Sequence, residues 1–451
     1  MKANVFVTRY IQGKAIQTQS TASFAMDAET ENRIVNIHPD VRYQALHGFG
    51  GTFTEATGYC LNQAGEALAD EIIKAYFGKD GLCYTQGRVH LDSCDASLSN
   101  YSAMEDPKDT ELHSFSLKRD KEYLIPWIKR AQAEAGRPLS LMVSPWSPPP
   151  FMKTNGEKNN GGKLKPEYRA LWAKYMCRFI LEYRKQGIDF AMLSLQNEPK
   201  AVQIWDSCIW TAEEEREFLR EYLLPEMRKQ GLSDMEVLIW DHNKERALER
   251  TQTILCDDEM RQAVAGTAVH WYSGTHFEQL AMLRQLYPEK RIVFNEGCVE
   301  YRIFDKGNYL RSARMYAREI IGNLNGGADA FIHWSLVFNP EGGPNHVSNF
   351  CEGVVFCDAK NQKITYTLPY YYIGHFSRYI QPGAVRIGFS RFTEDLDVTA
   401  FQNPNGERVV VLLNKTDEDM EIVLRETDAH CCPLIIPGDS IVTVVYGGEK
   451  G

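Results

Sequence analysis

At 451 residues the chain is longer than a single hydrophobic core usually grows, so a large domain with a smaller companion is expected. A formal charge of −10 and a pI near 5.7 argue against nucleic acid or an anionic membrane surface as partner, since both reward clustered Lys and Arg; a neutral small molecule or polymer fits better. Eleven cysteines, with Cys431 and Cys432 adjacent, match neither a disulfide framework nor the paired spacing of a structural zinc site, and read as reduced thiols.

Met1 to Tyr10 has no apolar h-region, and no later stretch has the length of uninterrupted apolar residues that a membrane span needs. A cytoplasmic protein without integral membrane association is the expectation. From His47 onward, short apolar runs alternate with longer amphipathic stretches, the pattern of a parallel sheet with crossover helices. The predicted strands are His47–Gly51, Thr85–Asp92, Leu139–Pro145, Phe190–Gln196, Val237–Asp241, Ala268–Tyr272, Ile292–Asn295 and Ala330–Leu336. Eight such units predict an α/β fold, a (β/α)8 TIM barrel.

Helices are predicted at Ala64–Phe77, Lys121–Ala135, Glu167–Gln186, Ala212–Lys229 and Asn308–Asn325, where apolar residues recur at helical spacing. The Pro-, Asn- and Gly-rich loop Ser144–Gly162 is expected to be irregular and to form a substrate-facing wall. After Pro369 the texture changes to β-rich runs at Val385–Phe389, Asp397–Gln402, Arg408–Asn414, Met420–Leu424 and Ser440–Tyr446, a side β-sandwich. Arg33–Ile37 alternates as well and is expected to join it. The expected division is residues 1–41 as N-terminal strands of the sandwich, 42–374 as barrel and 375–451 as C-terminal sandwich.

Two acids stand out, each at the end of a predicted strand: Glu198 in Leu195-Gln196-Asn197-Glu198-Pro199 and Glu296 in Val293-Phe294-Asn295-Glu296-Gly297. Barrel strands deliver side chains to one mouth at their C-terminal ends. Cleaving a glycosidic bond needs one acid for the leaving oxygen and another group for the anomeric carbon, and a retaining mechanism needs the two carboxyls about 5 Å apart. An isolated Asn-Glu dipeptide is ordinarily a solvated loop; two at the ends of separate barrel strands, beside aromatic residues, point to catalysis. Trp146, Trp271, Tyr272 and Trp334 offer flat faces for a pyranose, against the alternative of core packing.

His270, His276, His333 and His346 form neither a His-Glu-x-x-His nor a Gly-x-Ser-x-Gly-linked arrangement, so they read as structural; no metal and no cofactor is expected. His47-Gly48-Phe49-Gly50-Gly51 lacks the register and Lys of a phosphate loop and reads as close backbone packing at the barrel mouth.

With these motifs in order, together with Phe53-Thr54-Glu55-Ala56, Ser93-Cys94-Asp95, Ser144-Pro145-Trp146, Lys153-Thr154-Asn155-Gly156, His270-Trp271-Tyr272, Glu296-Gly297-Cys298 and Asn339-Pro340-Glu341-Gly342-Gly343-Pro344-Asn345, the chain resembles glycoside hydrolase family 30, in its glucosylceramidase-like branch, over nearly its whole length. The resemblance implies Glu198 as acid/base and Glu296 as nucleophile, with retention of the β configuration. It also implies glycone contacts from Asp95, Trp146, Asn197, Trp334 and Asn349, with Arg88 and Tyr272 around the nucleophile. Ser335 stands where an Asn is usual in that branch, and His346 where a Trp is common. The resulting expectation is an exo-acting β-glycosidase whose partner is a carbohydrate, a β-glucoside or glycolipid. The alternatives are an endo-β-1,6-glucanase, a β-xylosidase or β-fucosidase, and, from another class, a carbohydrate-binding barrel without turnover.

Overall fold

The computed structural model describes residues 1–27, 30–426 and 430–448. Eight parallel strands close into a barrel: β1 (Gly48–Phe53), β2 (Gln86–Leu91), β3 (Ser140–Pro145), β4 (Phe190–Ser194), β5 (Glu236–Asn243), β6 (Gly266–His270), β7 (Arg291–Glu296) and β8 (Ala330–His333). Each lies beside its sequence neighbours, and β8 pairs with β1 from Ala330 opposite Gly48 to His333 opposite Gly51. All eight strands coincide with predicted runs. β1 runs two residues further than expected, so the glycines pack tightly within the barrel wall rather than at its mouth: a Cβ on Gly50 would sit 2.1 Å from the Gln86 carbonyl oxygen.

The barrel interior is layered. Met142, Met192, Leu238, Ala268, Val293 and Ala330 form one apolar layer, each fully buried. Because a strand returns to the same face every second residue, the next inward layer on β3, β4, β6 and β7 consists of Ser144, Ser194, His270 and Asn295. On β5 strict alternation would place Trp240 inward. A bulge intervenes: Ala268 pairs with Trp240 but Val269 with His242, leaving Asp241 as the extra residue. Trp240 and Asp241 both have positive φ, 71° and 46°. The bulge turns the Asp241 carboxylate into the polar layer.

The helices explain where the predicted segments break. Gly65, at φ 78°, ends Glu55–Ala64, which begins at the Thr54 cap, and starts Glu66–Phe77. The segment read as Lys121–Ala135 divides at Leu124 into Lys118–Tyr123 and Ile125–Ala135, the second opening with Pro126 in its first turn. Ala212–Lys229 starts on a capping box between Thr211 and Glu214 and contains one π-helical turn, Leu219–Leu223.

Among the described residues ten strands form the side module. In spatial order they are Lys14–Ser23, Lys2–Ile11, Ser440–Gly447, Glu407–Asn414, Leu396–Gln402, Val385–Arg391, Ile34–Ala45, Met420–Glu426, His430–Ile436 and Ala25–Met26. The Pro-interrupted strand His430–Ile436 carries no clear sequence signal. Val398, Ala400, Val410, Leu412, Val442 and Val444 point into the sandwich's own core with Val35, Ile37 and Ile387. Their alternates Phe401, Val409, Val411, Leu413 and Ile441 belong to the barrel's core cluster. These strands are buried on both faces, which is why they read as nearly continuous apolar runs.

Candidate active site

At the C-terminal mouth of the barrel is a cavity of about 340 Å³, lined by Asp95, Trp146, Asn197, Glu198, Tyr272, Glu296, Trp334 and Asn349 and, further out, by Gln203, Trp205, His242, Asn243, Cys298, Glu300, Arg302 and Ile303. Eight of the nine residues that the family resemblance implies for the site therefore line it. The ninth, Arg88, lies directly beneath and fully buried.

Arg88 organises the floor. Its Nη1 donates to Glu296 Oε2, its Nη2 to Asn197 Oδ1 at 2.8 Å and to both Asp241 oxygens at 3.0 and 2.9 Å, and its Nε to Ser144 Oγ at 3.0 Å. The guanidinium also lies 4.6 Å from the centre of the Trp146 ring. Tyr272 Oη donates to Glu296 Oε1 at 3.0 Å. Glu296 thus meets a guanidinium on one oxygen and a phenol on the other. Trp146 and Trp334 lie 5.3 Å apart between ring centres and form an aromatic corner of the cavity.

Glu198 approaches from the other flank. Its φ of 48° is sparsely populated for a non-glycine residue, and its N–H is tied to the Asp241 carbonyl at 2.9 Å. His270 Nδ1 lies 3.2 Å from Glu198 Oε1 and 3.8 Å from Glu296 Oε1, which caps the separation of these two oxygens at 7.0 Å. The other ring nitrogen of His270, Nε2, is 2.8 Å from Asp241 Oδ1.

Asp241 was not singled out from the sequence, yet it joins the whole floor: besides Arg88 and His270 it accepts from Asn295 Nδ2 at 2.6 Å and from Ser194 Oγ. Burial works to raise its proton affinity, but Arg88, His270 and Ser194 outweigh this and hold it well below the usual carboxylate range. Burial would neutralise His270, but Glu296, Asp241 and Glu198 reverse that and push its pKa up to about 9. In this substrate-free site burial raises Glu296 against the pull of His270 and Arg88. Burial also favours protonation of Glu198, but His270 and His242 bring it below its ordinary value. Asp95 is raised, first by burial and then by Glu296.

The matching family models describe the glycosyl hydrolase family 30 TIM-barrel domain, over residues 46–380, and the family 30 β-sandwich domain, over residues 383–444. The chain belongs to glycosyl hydrolase family 30. It is 31% identical over 429 residues to the lysosomal acid glucosylceramidase of Mus musculus, covering 92% of this chain and 83% of that protein. SrfJ from Salmonella typhimurium is similar in structure, with a TM-score of 0.96 at 36% identity over the full length of both chains. The endo-β-1,6-glucanase BT3312 follows at 25% identity and a TM-score of 0.88, again over both full chains. This family 30 protein is a glycoside hydrolase.

Several expectations for the site need correction. Trp271 does not face the cavity: its ring packs on Tyr316 and Phe294, and Nε1 donates to the Cys298 carbonyl at 3.2 Å. Of the loop Ser144–Gly162 only Trp146 reaches the cavity; Lys153 Nζ anchors the rest to the carbonyls of Lys158 and Ser207. The outer wall comes instead from Gln203, Trp205 and the segment after β7. His276, His333 and His346 do not line the cavity, whereas His270, read as structural, joins Glu198 to Asp241 beneath it. Residues of metal-ligand type also converge at the strand ends, namely Glu198, His242 and His270.

Proposed function

We propose that this family 30 enzyme is a retaining, exo-acting β-glucosidase of the glucosylceramidase type, with Glu296 as nucleophile and Glu198 as acid/base. The observation that carries the reading is the unequal support of two carboxylates facing one small cavity. Glu296 is gripped by a guanidinium and a phenol that keep its oxygens aimed, while Glu198 lies 3.2 Å from the Nδ1 of the His270 imidazole. Attack at the anomeric carbon needs an oriented anion, and departure of the aglycone needs a proton donor.

The carboxylates around His270 favour its protonated form, and its Nδ1 lies 3.2 Å from Glu198 Oε1. A glycone seated over the two acids shields Glu198 further from water, which favours its protonated form, while Arg88 stays on Glu296. Once the glycosyl ester forms, the negative charge of Glu296 is gone, and Glu198 accepts a proton from the attacking water. Asn197 gives its oxygen to Arg88, so its amide nitrogen is free to meet the sugar's 2-hydroxyl. Asp95 and Asn349 lie on the glycone side, and the Asn349 Oδ1 is buried without a protein partner among the described residues. The compact cavity and the 31% identity to a glucosylceramidase support release of single glucosyl units. The likeness to an endo-β-1,6-glucanase keeps internal cleavage as the second reading.

A 2-fluoro-β-glucoside with an activated leaving group tests both roles and glycone. Stoichiometric labelling of the peptide carrying Glu296 is expected, and labelling elsewhere, or undiminished labelling of Glu296→Ala, overturns the assignment. With linear β-1,6-gluco-oligosaccharides, appearance of mid-length products before glucose would favour the endo reading.

A further inference from the structure

Glu198 Oε1 lies 3.7 Å from His242 Nδ1 and 3.2 Å from His270 Nδ1, and one ligand atom from each of the three residues fits within 4.8 Å of the others. Nitrogen and oxygen ligands at the corners of a zinc tetrahedron are separated by roughly 3.3 Å, given bonds of about 2.0–2.1 Å. Two of the three separations are therefore already near that spacing.

The surroundings are those of a metal site. His270 directs Nε2 at Asp241, the imidazole–carboxylate pairing that orients a metal-bound histidine and leaves Nδ1 facing Glu198. His242 Nδ1 is shut off from solvent and has no hydrogen-bond partner among the described residues. It is thus a buried ring nitrogen facing a carboxylate at 3.7 Å without a hydrogen bond to it. The carboxyls of Asp241 and Glu296 lie 2.8 and 3.8 Å from the His270 ring, and Glu198 and His242 line the cavity.

We propose that Glu198, His242 and His270 form an inhibitory site for Zn2+. Three nitrogen and oxygen ligands from the protein, with water in the fourth position, is a known zinc coordination. Occupancy would withdraw the lone pairs of Glu198 from proton transfer. The inhibitory half of the proposal rests on Glu198 being the acid/base, whereas the binding half does not.

The test titrates the purified full chain with ZnCl2 against a chromophoric chelator and soaks its crystals in ZnCl2 to record anomalous scattering at the zinc edge. One site is expected, with the anomalous peak among the three side chains. His242→Gln should weaken it by on the order of 100-fold, and Cys256→Ser, at an exposed thiol elsewhere, should leave it unchanged. A peak at another position, or equal affinity in His242→Gln, overturns the site. If that variant fails to fold, the soaked crystal of the unaltered chain decides. Turnover of an aryl β-glucoside should fall as the site fills and recover on adding EDTA. Zinc bound at the three residues with full turnover would refute the inhibition and the acid/base role while leaving the site standing. No binding, alongside normal labelling of Glu296, would remove the site and leave the function intact.

Discussion

Replacing Asp241 by Asn keeps the shape of the side chain and removes its charge. Asp241 and Arg88 are both fully buried, and the carboxylate accepts from four groups: Arg88 on both oxygens, Asn295, His270 and Ser194. An amide has one acceptor oxygen with two lone pairs, and its NH2 turns two donors toward groups that are themselves donors. At least one buried donor then loses its partner, and Arg88 keeps only Glu296 to balance its charge. Removing one member of a buried ion pair costs about 3–5 kcal/mol, out of a total stability of roughly 5–15 kcal/mol. Urea unfolding of Asp241→Asn should report a loss of that size. An NMR titration of the variant should find the His270 imidazole shifted from about 9 toward its ordinary value. A loss below about 1 kcal/mol with an unmoved His270 would refute the view that Asp241 is the anionic centre of the floor.

Three further outcomes are expected. Glu198→Ala should lose about 10²–10⁴-fold in kcat on glycosides with poor leaving groups but far less on dinitrophenyl glycosides, with azide restoring turnover; equal losses on both would count against the acid/base role. His270 is raised above its unfolded value, so its contribution to stability is complete below about pH 6.5 and is lost as pH rises through about 9; unfolding measured from pH 7 to 10 should show that decline, and His270→Gln should flatten it. Gly50→Ala drives a methyl into the β2 backbone at the Gln86 carbonyl and should cost about 3 kcal/mol or more, visible as a lowered unfolding midpoint; unchanged stability would contradict the close approach of β1 and β2.

The barrel was legible because parallel strands buried on both faces leave apolar runs, and because each run ends at the polar mouth. Glu198 and Glu296 were legible for the same reason, each being the acid that ends such a run. Asp241 was inside a predicted strand, but simple alternation from Leu238 puts Trp240, not Asp241, on the inner face. Only the bulge reverses this, and a bulge depends on pairing with β6 that the local sequence does not encode. His270 stayed hidden behind the same feature, since its role follows from having Asp241 beneath it. The Asp241-His242 pair at the end of β5 was the available signal, two chemistry-bearing residues at a strand terminus beside the mouth. The helix Glu55–Ala64 was not predicted, and the helix boundary at Leu124 was missed because a single residue divides what periodicity joins.

The sandwich strands that turn Val409, Val411, Leu413 and Ile441 toward the barrel supply part of the hydrophobic interior against which its helices rest. Asn325, on the last long barrel helix, donates to the Val398 carbonyl at 2.8 Å and accepts from Thr399 at 2.9 Å, so the seam is fastened by polar bonds as well. A fragment ending at Ile380 would therefore expose a greasy flank and leave those bonding groups unmet, and the hydrolase should behave as one cooperative body rather than as a catalytic unit with a dispensable appendage.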